Sequence, residues 1–366
     1  MIDYYHHLEP PIDLTINEIN ILAGEGQDDM LMKYPEIKPT SDGFYMASSN
    51  GYLKTIKYLI SIGLSPTQPD LNVATEYGNL DVVQFYISLN PSMRPSVDGM
   101  NSSIDIGSVS ILKYLMTLPN PVYPTTSGAN RAAELGFRDI LQHLQTYNIF
   151  PDITGINQAT ENGYIDVVVW ATHNLGLFPT VEALNLAAYH GHLYVLKYLH
   201  SVRPDLRPNS DGLNMAVSDN RIDVVRFLYS LDPETMIPLP DTLDDAAMDG
   251  HSDVIRFFAE INPPMFPSTF ALNRMARDGH VDIIRYLARK NPPVCPDSDG
   301  ANDIVSSGDL ELLKLLAGCN PPVLPTLRGL NEAERLGYDD IVDFLLNNTC
   351  IETESTNDCP LLPLKK

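Results

Sequence analysis

A pattern of about 29 residues recurs along nearly all of this 366-residue chain, and that repetition constrains the fold more than any other feature. The clearest copy spans residues 271–300 and reads ALNRMARDGHVDIIRYLARKNPPVCPDSDG, with Gly279 as its marker. Equivalent markers lie 25 to 30 residues apart, at Gly26, Gly51, Gly78, Gly107, Gly136, Gly163, Gly191, Asn220, Gly250, Gly308 and Gly337. A sustained period of this size predicts a solenoid, in which each unit buries its apolar face against its neighbours.

Each unit reads as two short helices. Leu272 and Met275 precede the marker at the spacing of one helix face, and Gly279 can end that helix because glycine enters the left-handed conformation without steric cost. Asp282 follows three residues later and suits the positive start of a second helix. The segment IIRYL then continues the apolar stripe expected of a helix that faces a core. At Asn220 the marker is asparagine, the residue that most often replaces glycine in that conformation.

The connectors are the most regular part of the pattern. A proline lies twelve residues before each marker from the second one onward, as at Pro208 and Pro296, and fixes φ at the same point of each connector. Dipeptides such as Asp211-Gly212 follow it and predict the N-cap of the next first helix.

On three second helices an aspartate precedes an arginine by three residues, which predicts intrahelical ion pairs on a solvated face at Asp223-Arg226, Asp253-Arg256 and Asp282-Arg285.

These units resemble those of the ankyrin repeat family, whose unit reads roughly TPLHxAAxxGHxxIVxxLL. The matching segments are GANRAAELGFRDILQHL from Gly128, ALNLAAYHGHLYVLKYL from Ala183, TLDDAAMDGHSDVIRFF from Thr242 and ALNRMARDGHVDIIRYL from Ala271. The units here are about four residues shorter than the usual 33, and they resemble the shortened repeats of amoeba-infecting giant viruses and some protists. The resemblance implies an all-α, ankyrin-like solenoid of stacked helix-turn-helix repeats with short connectors.

The histidine of the family motif is replaced by asparagine six residues before the marker, at positions 20, 72, 101, 130, 157, 185, 214, 273, 302 and 331. A row of amides could bind a ligand, or it could join neighbouring units by hydrogen bonds to backbone groups. Because equally spaced copies are expected of a structural element and a binding site would differ between units, we favour the structural interpretation. The aromatic residue that recurs on the second helices, including Trp170, is predicted to be core for the same reason.

The repeats divide the chain into a polar leader at residues 1–13, an array of about twelve units at residues 14–349 with a degenerate first unit, and a disordered tail at residues 350–366. The leader lacks the basic and apolar regions of a secretory signal. No apolar run approaches the roughly 18 residues that a membrane span requires. Four cysteines without a CxxC motif form neither a disulfide framework nor a zinc site, so a reducing, cytoplasmic location is expected, the host cytoplasm for a viral protein.

Charge and motifs narrow the functional class. A net charge of −23 should repel nucleic acid and attract a basic protein, so the sequence predicts a protein partner, no nucleic acid, no membrane and a monomeric chain. The sequence contains none of the common catalytic or phosphate-binding motifs and no Cys/His cluster. We therefore expect neither enzymatic activity nor a cofactor or metal.

The resemblance implies noncovalent protein binding on the concave face, at the two positions before each marker. The candidates are Glu76, Tyr77, Glu161, Asn162, Tyr189, His190, Ser218, Asp219, Met248, Asp249, Arg277, Asp278, Ser306 and Ser307. Two alternatives remain at this stage. The chain could be a structural or assembly component, for example of a viral particle, or an adaptor that recruits other machinery through its C-terminal tail.

Overall fold

The computed structural model describes residues 14–348 and places 24 α-helices and no β-strand among them. The predicted all-α helical repeat fold, built from helix pairs with short connectors, is therefore confirmed. The predicted leader at residues 1–13 and the predicted tail at residues 350–366 lie outside the described residues. The chain divides into two compact units, residues 1–180 and residues 181–366.

The first unit contains six helix pairs, in which odd-numbered helices are the first and even-numbered helices the second of each repeat. Its helices are α1 (Ile16–Gly24), α2 (Asp28–Leu31), α3 (Ser41–Ser49), α4 (Leu53–Ser61), α5 (Gln68–Glu76), α6 (Leu80–Leu89), α7 (Val97–Ser102), α8 (Val109–Met116), α9 (Thr126–Glu134), α10 (Arg138–Gln145), α11 (Ile153–Glu161) and α12 (Ile165–Leu175). The four-residue α2 agrees with the degenerate first repeat that the sequence predicts.

The second unit repeats the same arrangement. Its helices are α13 (Val181–Tyr189), α14 (Leu193–Val202), α15 (Ser210–Ser218), α16 (Ile222–Leu231), α17 (Pro240–Met248), α18 (Ser252–Phe258), α19 (Thr269–Asp278), α20 (Val281–Ala288), α21 (Ser298–Val305), α22 (Leu310–Ala317), α23 (Leu327–Leu336) and α24 (Asp339–Asn348). Within each unit, every first helix packs against the next first helix, and in all repeats except that of α7 and α8 it also packs against the second helix of its own repeat.

The turn inside each repeat depends on the marker residue. Gly191 has φ of 81°, and Asn220 adopts the same left-handed region with φ of 54°. The marker N–H donates to a carbonyl three residues earlier, as from Gly191 to Ala188 at 3.1 Å, and the next N–H donates to a carbonyl five residues earlier, as from His192 to Ala187 at 2.9 Å. Both bonds satisfy carbonyls that a helix end leaves open. The predicted left-handed markers are thus confirmed.

Small residues on the first helices face apolar stripes on the second. In the repeat of α17 and α18, Ala246, Ala247, Val254, Ile255 and Phe258 are each no more than 1% exposed. Alanines at this position let the helices of one pair approach closely, and the branched and aromatic side chains of the second helix fill the layer. The recurring aromatic residue on the second helix is half-buried in most repeats, whereas Trp170 is 3% exposed.

The N-caps differ from the prediction that placed them at the Asp-Gly dipeptides. The capping residue comes directly after the connector proline, and Asp42, Asp98, Asp211 and Asp299 lie in the first turn of their helices instead. On the first helices, caps whose side chains accept a bond from the first turn are Thr15, Thr40, Ser96, Asp152, Asn209, Ser268, Asp297 and Thr326. The prediction was wrong because short polar residues occur at both places, and only the backbone distinguishes cap from first turn.

The predicted intrahelical ion pairs on the second helices are also wrong. Arg226 lies over the ring of Phe257 at 4.9 Å, and Arg256 lies over the ring of Tyr286 at 4.3 Å, each in the following repeat. Arg285 pairs with Asp309, likewise one repeat further on. An exposed i, i+3 ion pair contributes only about 0.2–0.5 kcal/mol to helix stability. A guanidinium group over a half-buried aromatic ring of the next second helix contributes a similar or larger free energy, so the arginine adopts that contact instead.

Candidate binding surface and the contacts that shape it

Nine asparagines and one aspartate on the first helices bind the connector of the next repeat. In each such bond the side-chain oxygen accepts from the backbone N–H of the residue directly after a connector proline, at 2.6–3.1 Å. The pairs are Asn20 with Thr40, Asn72 with Ser96, Asn101 with Thr125, Asn130 with Asp152, Asn157 with Thr180, Asn185 with Asn209, Asn214 with Leu239, Asp244 with Ser268, Asn273 with Asp297, and Asn302 with Thr326. We call this set the asparagine ladder. The structural interpretation of the recurring asparagine is confirmed.

Two caps use an acid of their own helix instead of the ladder. Residue 45 is tyrosine where the ladder would have asparagine, and the N–H of Thr67 donates to Asp70 Oδ2 at 2.8 Å. Thr15 starts the first described helix, and its N–H donates to Glu18 Oε2 at 2.7 Å. The backbone donor of the cap is therefore satisfied whether or not a preceding repeat supplies the acceptor.

The glycine of the Asp-Gly dipeptides makes room for the ladder. A Cβ atom on Gly212 would lie 2.5 Å from Asn185 Oδ1, and one on Gly300 would lie 2.6 Å from Asn273 Oδ1. Real side chains do not approach an oxygen so closely. In the repeats that have it, the glycine is thus explained by its close approach to the neighbouring repeat, whereas Ala183, Thr242 and Ala271 occupy the same position in three repeats that keep the ladder bond.

A second set of side chains covers the C-terminal ends of the first helices. Asn79 donates to the carbonyls of Ser48 and Ser49 at 3.0 and 2.7 Å, and Asn162 donates to the carbonyl of Glu134 at 3.0 Å. In the second unit, Arg221 Nε donates to the carbonyl of Tyr189 at 3.1 Å. These contacts satisfy the open carbonyls of one helix with a side chain from the next repeat.

The residues predicted as a binding surface lie at these helix ends, and none of them is buried. Glu76, Glu161, Tyr189, Ser218, Met248, Arg277 and Asp278 are the last residues of their first helices or next to last, and Tyr77, Asn162, His190, Asp219, Asp249, Ser306 and Ser307 follow directly. In the first unit the two predicted pairs stand three repeats apart. In the second unit the predicted residues occupy successive repeats and can form one surface.

Several predicted residues of the second unit are engaged with neighbours. Asp219 pairs with Arg221 at 2.5 Å, and Asp278 pairs with Arg274 at 2.8 Å. Ser306 hydrogen-bonds to Glu332 of the next repeat. The first two contacts lie within one repeat, and only the bond between Ser306 and Glu332 joins two repeats.

An arginine patch is formed by residues of α19 and α23, and we define it by Phe270, Arg274, Arg277, Arg328 and Arg335. The ring of Phe270 is 71% exposed. The side chains of Arg277, Arg328 and Arg335 are 60%, 63% and 67% exposed, and that of Arg274 is 48% exposed. The patch therefore combines an accessible aromatic face with accessible guanidinium groups. Sequence reasoning selected Arg277 alone among these residues, because it considered only the two positions before each marker.

Carboxylates hold the patch in place. The shielded carboxylate of Asp303 accepts from Arg277 at 3.4 Å and from Arg328 at 2.6 Å, so it bridges α19 and α23 through α21. Arg335 binds both carboxylate oxygens of Glu332, at 2.5 and 2.9 Å. These hydrogen bonds keep the pKa of Glu332 below its ordinary value and raise the pKa of Arg335.

The described residues also form open clefts. One in the first unit measures about 480 Å³ and lies between α9 and α11, where Arg131 binds Asp105 and Glu134. One in the second unit measures about 370 Å³ and is lined by Arg207, Asn209 and Met236 among others.

Between residues 14 and 348, no three His, Cys, Asp or Glu side chains are grouped so that they could hold a metal ion. In the same range, no helix is long and apolar enough to cross a membrane.

Comparison with known proteins gives a limited result. No protein-family model matches the chain, and no curated protein matches it. Among solved structures it is similar to the pentatricopeptide repeat protein PPR10 in complex with an 18-nt psaJ RNA element, with 14% identity, a TM-score of 0.47 and 96% of this chain covered. A cysteine-to-serine variant of the same complex gives the same values. The chain spans 61% of the length of these structures.

The comparison contradicts the prediction of an ankyrin repeat protein, since the two solved structures named above belong to a different helical repeat family, that of pentatricopeptide repeat proteins. The prediction was wrong because its signals are not specific to one family. A left-handed residue between two helices, small residues on the first helix and an apolar stripe on the second are required wherever helix pairs stack. The match to the shortened repeats of giant viruses and protists rested on the same signals.

The prediction of a protein partner on a concave face, with nucleic acid excluded, is likewise contradicted, because both similar structures are RNA complexes. The exclusion rested on the net charge of the whole chain, which does not describe the local charge. Residues 269–336 contain eight basic and nine acidic residues, so this segment is almost neutral within a chain of net charge −23. The alternatives of an assembly component or a tail-dependent adaptor are set aside with it.

Proposed function

We propose that the second unit binds single-stranded RNA at the arginine patch. The observation that supports this proposal is the exposed ring of Phe270 on α19, the helix that also carries the exposed Arg274 and Arg277, with Arg277 joined through Asp303 to the exposed Arg328 of α23. Proteins that bind single strands combine an aromatic face on which a base stacks with cationic groups that follow the phosphates. A single strand is required because only an unpaired base can leave its stack and lie on the ring.

The ion pairs within the patch leave donors for a ligand. A guanidinium group carries five N–H donors, and the bonds to Asp303 use one from Arg277 and one from Arg328. The remaining N–H groups can donate to phosphate oxygens while the carboxylate keeps both arginines in place. Arginine suits this role because its planar group binds phosphate oxygens in pairs.

The acidic charge of the rest of the chain limits the affinity. Asp241, Asp244 and Asp245 lie on α17, which packs next to α19, and Asp249 directly follows α17; all four repel phosphate. We therefore expect weak binding at physiological salt that strengthens as the salt is lowered, since each phosphate contact releases counterions.

Fluorescence anisotropy of a labelled uridine homopolymer in low-salt buffer tests the proposal. Phe270→Ala should weaken binding roughly tenfold, because stacking of a base contributes about 1–3 kcal/mol. Arg335→Ala should weaken binding and reduce the salt slope by about one unit or less, as expected for one lost phosphate contact. RNA is the first probe because it is what the similar structures bind, and the deoxyribose homologue shows whether the 2′-hydroxyl matters.

Matched variants separate this surface from general charge effects. Tyr194→Ala removes an 80%-exposed ring from α14, and Arg289→Ala removes an exposed arginine at the end of α20, both away from the first helices. Neither change should alter RNA binding. Absence of binding in low salt, or equal losses in the patch and control variants, would contradict the proposal.

A further inference from the structure

Two cysteines of the second unit face each other across successive connectors. Cys295 lies between α20 and α21, directly before Pro296, and Cys319 lies just after α22. Their Sγ atoms are 3.0 Å apart, and both residues are free and half-buried. Cys319 Sγ also contacts the carbonyl oxygen of Leu315 at 3.5 Å. The two thiols thus form a pair that the repeat geometry brings together, 24 residues apart in the chain.

We propose that Cys295 and Cys319 are a dithiol modification site that oxidises to an intramolecular disulfide and links the connectors on either side of the α21–α22 pair. A disulfide needs sulfur atoms about 2.05 Å apart, so the two Sγ atoms have to approach by about 1 Å. The spacing of 24 residues equals that between Asn273 and Asp297 in the asparagine ladder, so it follows from the repeat itself. The proposal is independent of RNA binding.

The oxidant is a small-molecule disulfide such as oxidised glutathione. The thiolate of one cysteine attacks a sulfur of that molecule, forms a mixed disulfide and releases one thiolate. The second cysteine loses its proton and attacks the protein sulfur of the mixed disulfide, which releases the second small thiolate. In total, the two protein thiols lose two electrons and two protons, and the small disulfide is reduced to two thiols.

The surroundings of the pair predict a slow reaction that accelerates at high pH. Burial, together with the contact to Cys319, raises the pKa of the Cys295 thiol to about 12. The thiolate is the form that attacks a disulfide, and it is scarce on Cys295 at neutral pH. We expect the rate of disulfide formation to rise as the pH is raised above neutrality.

The bond should stabilise the second unit. Closing a loop between residues 295 and 319 restricts the unfolded chain, and the folded sulfur atoms already lie close together, so little rearrangement is required. We expect a higher melting temperature for the oxidised full-length chain than for the reduced chain. Replacing either Cys295 or Cys319 by serine should abolish the difference.

Peptide mapping of the full-length protein provides the direct test. Trypsin cleavage after Lys290, Lys314 and Arg328 places the two cysteines in separate peptides, residues 291–314 and 315–328. After treatment with oxidised glutathione and alkylation of the remaining thiols, non-reducing mass spectrometry should detect these two peptides joined, and reduction should separate them. A Cys350→Ser/Cys359→Ser variant, which alters only cysteines outside the described residues, should give the same linked peptides.

Three results of this experiment would contradict the proposed disulfide. If Cys295 and Cys319 are recovered alkylated or glutathionylated without the linked pair, the proposal is overturned. It is also overturned if either cysteine links to Cys350 or Cys359 instead. A linked pair that forms only after the protein has been unfolded would show that the folded geometry does not bring the thiols together.

Discussion

Asn302 holds the start of the helix that follows it in the next repeat, because its side-chain oxygen accepts from the backbone N–H of Thr326 at 2.8 Å. The same oxygen accepts from the N–H of Gly329 at 3.0 Å, and the Asn302 amide donates to Thr326 Oγ1 at 3.0 Å. One buried side chain, 3% exposed, therefore satisfies three polar groups of its neighbour. Helix capping in this array is an interaction between repeats.

Asn302→Leu should lower the free energy of unfolding by about 1–3 kcal/mol, because it leaves shielded N–H groups of the next repeat without an acceptor. Urea unfolding followed by circular dichroism measures the change. Asn331→Leu is the matched control, since Asn331 has the same position in the last described repeat, is exposed and precedes no further helix pair among residues 14–348. Equal stability of the two variants would show that the ladder does not hold the repeats together.

Gly212→Ala should destabilise the second unit, because the new Cβ would lie 2.5 Å from Asn185 Oδ1 and 2.8 Å from Pro208 Cβ. We expect a loss of about 1–3 kcal/mol, typical of overpacking in a region that cannot expand. Gly318→Ala serves for comparison, since its Cβ would meet nothing closer than 3.4 Å and its φ is −83°. That change should be neutral or stabilise by up to about 1 kcal/mol. Thermal unfolding that ranks the two variants in the opposite order would refute this explanation of the Asp-Gly dipeptide.

Asp70→Ala should be more harmful than Asp42→Ala, although both aspartates lie in the first turn of a first helix. Asp70 is the acceptor for the N–H of Thr67, whereas Asn20 of the preceding repeat is the acceptor for the N–H of Thr40. An unsatisfied donor costs about 1–3 kcal/mol. Chemical unfolding of both variants measures the difference.

Tyr45→Asn should rescue Asp70→Gly, because residue 45 occupies the ladder position, Thr67 follows at the equivalent cap, and residue 70 is glycine in most other repeats, where it faces the ladder asparagine. The same substitution in the parent chain should have little effect, since Asp70 already satisfies the N–H of Thr67. A double-mutant cycle on the free energy of unfolding gives the coupling. Strictly additive effects of the two changes would count against an interchangeable acceptor.

His143→Phe should weaken the pH dependence of stability between about pH 5 and pH 7. Burial, and to a smaller extent the charge of Lys113, lowers the pKa of His143 in the folded chain below the ordinary histidine value of about 6.5. The unfolded chain therefore binds a proton at a higher pH than the folded chain does, so stability is complete above about pH 6.5 and is lost as the pH falls below it. Melting temperatures across this range should fall more steeply for the parent than for the variant, in which phenylalanine can still contact Tyr147. Identical pH profiles would exclude His143 as the source.

The sequence by itself determined the helix pair, its period and the conformation of its turn. Each of these features depends on residues close together in the chain, so it recurs visibly in every copy, and Asn220 could be recognised because the left-handed conformation has few other occupants. The role of the asparagine ladder was predictable for the same reason. Its regular spacing indicated a structural contact even though its partner was unknown.

The tertiary structure decided where the polar side chains of one repeat find their partners in the next. It used Asp70 where Tyr45 interrupts the ladder. It also directed Arg256 to the ring of Tyr286 and not to Asp253, and it joined Arg277 and Arg328 through Asp303. Such partners lie some 24 to 30 residues apart, and the rotamers of long side chains select among several candidates of similar energy. A repeating sequence specifies that neighbouring units must meet, but only their packing determines which side chains touch.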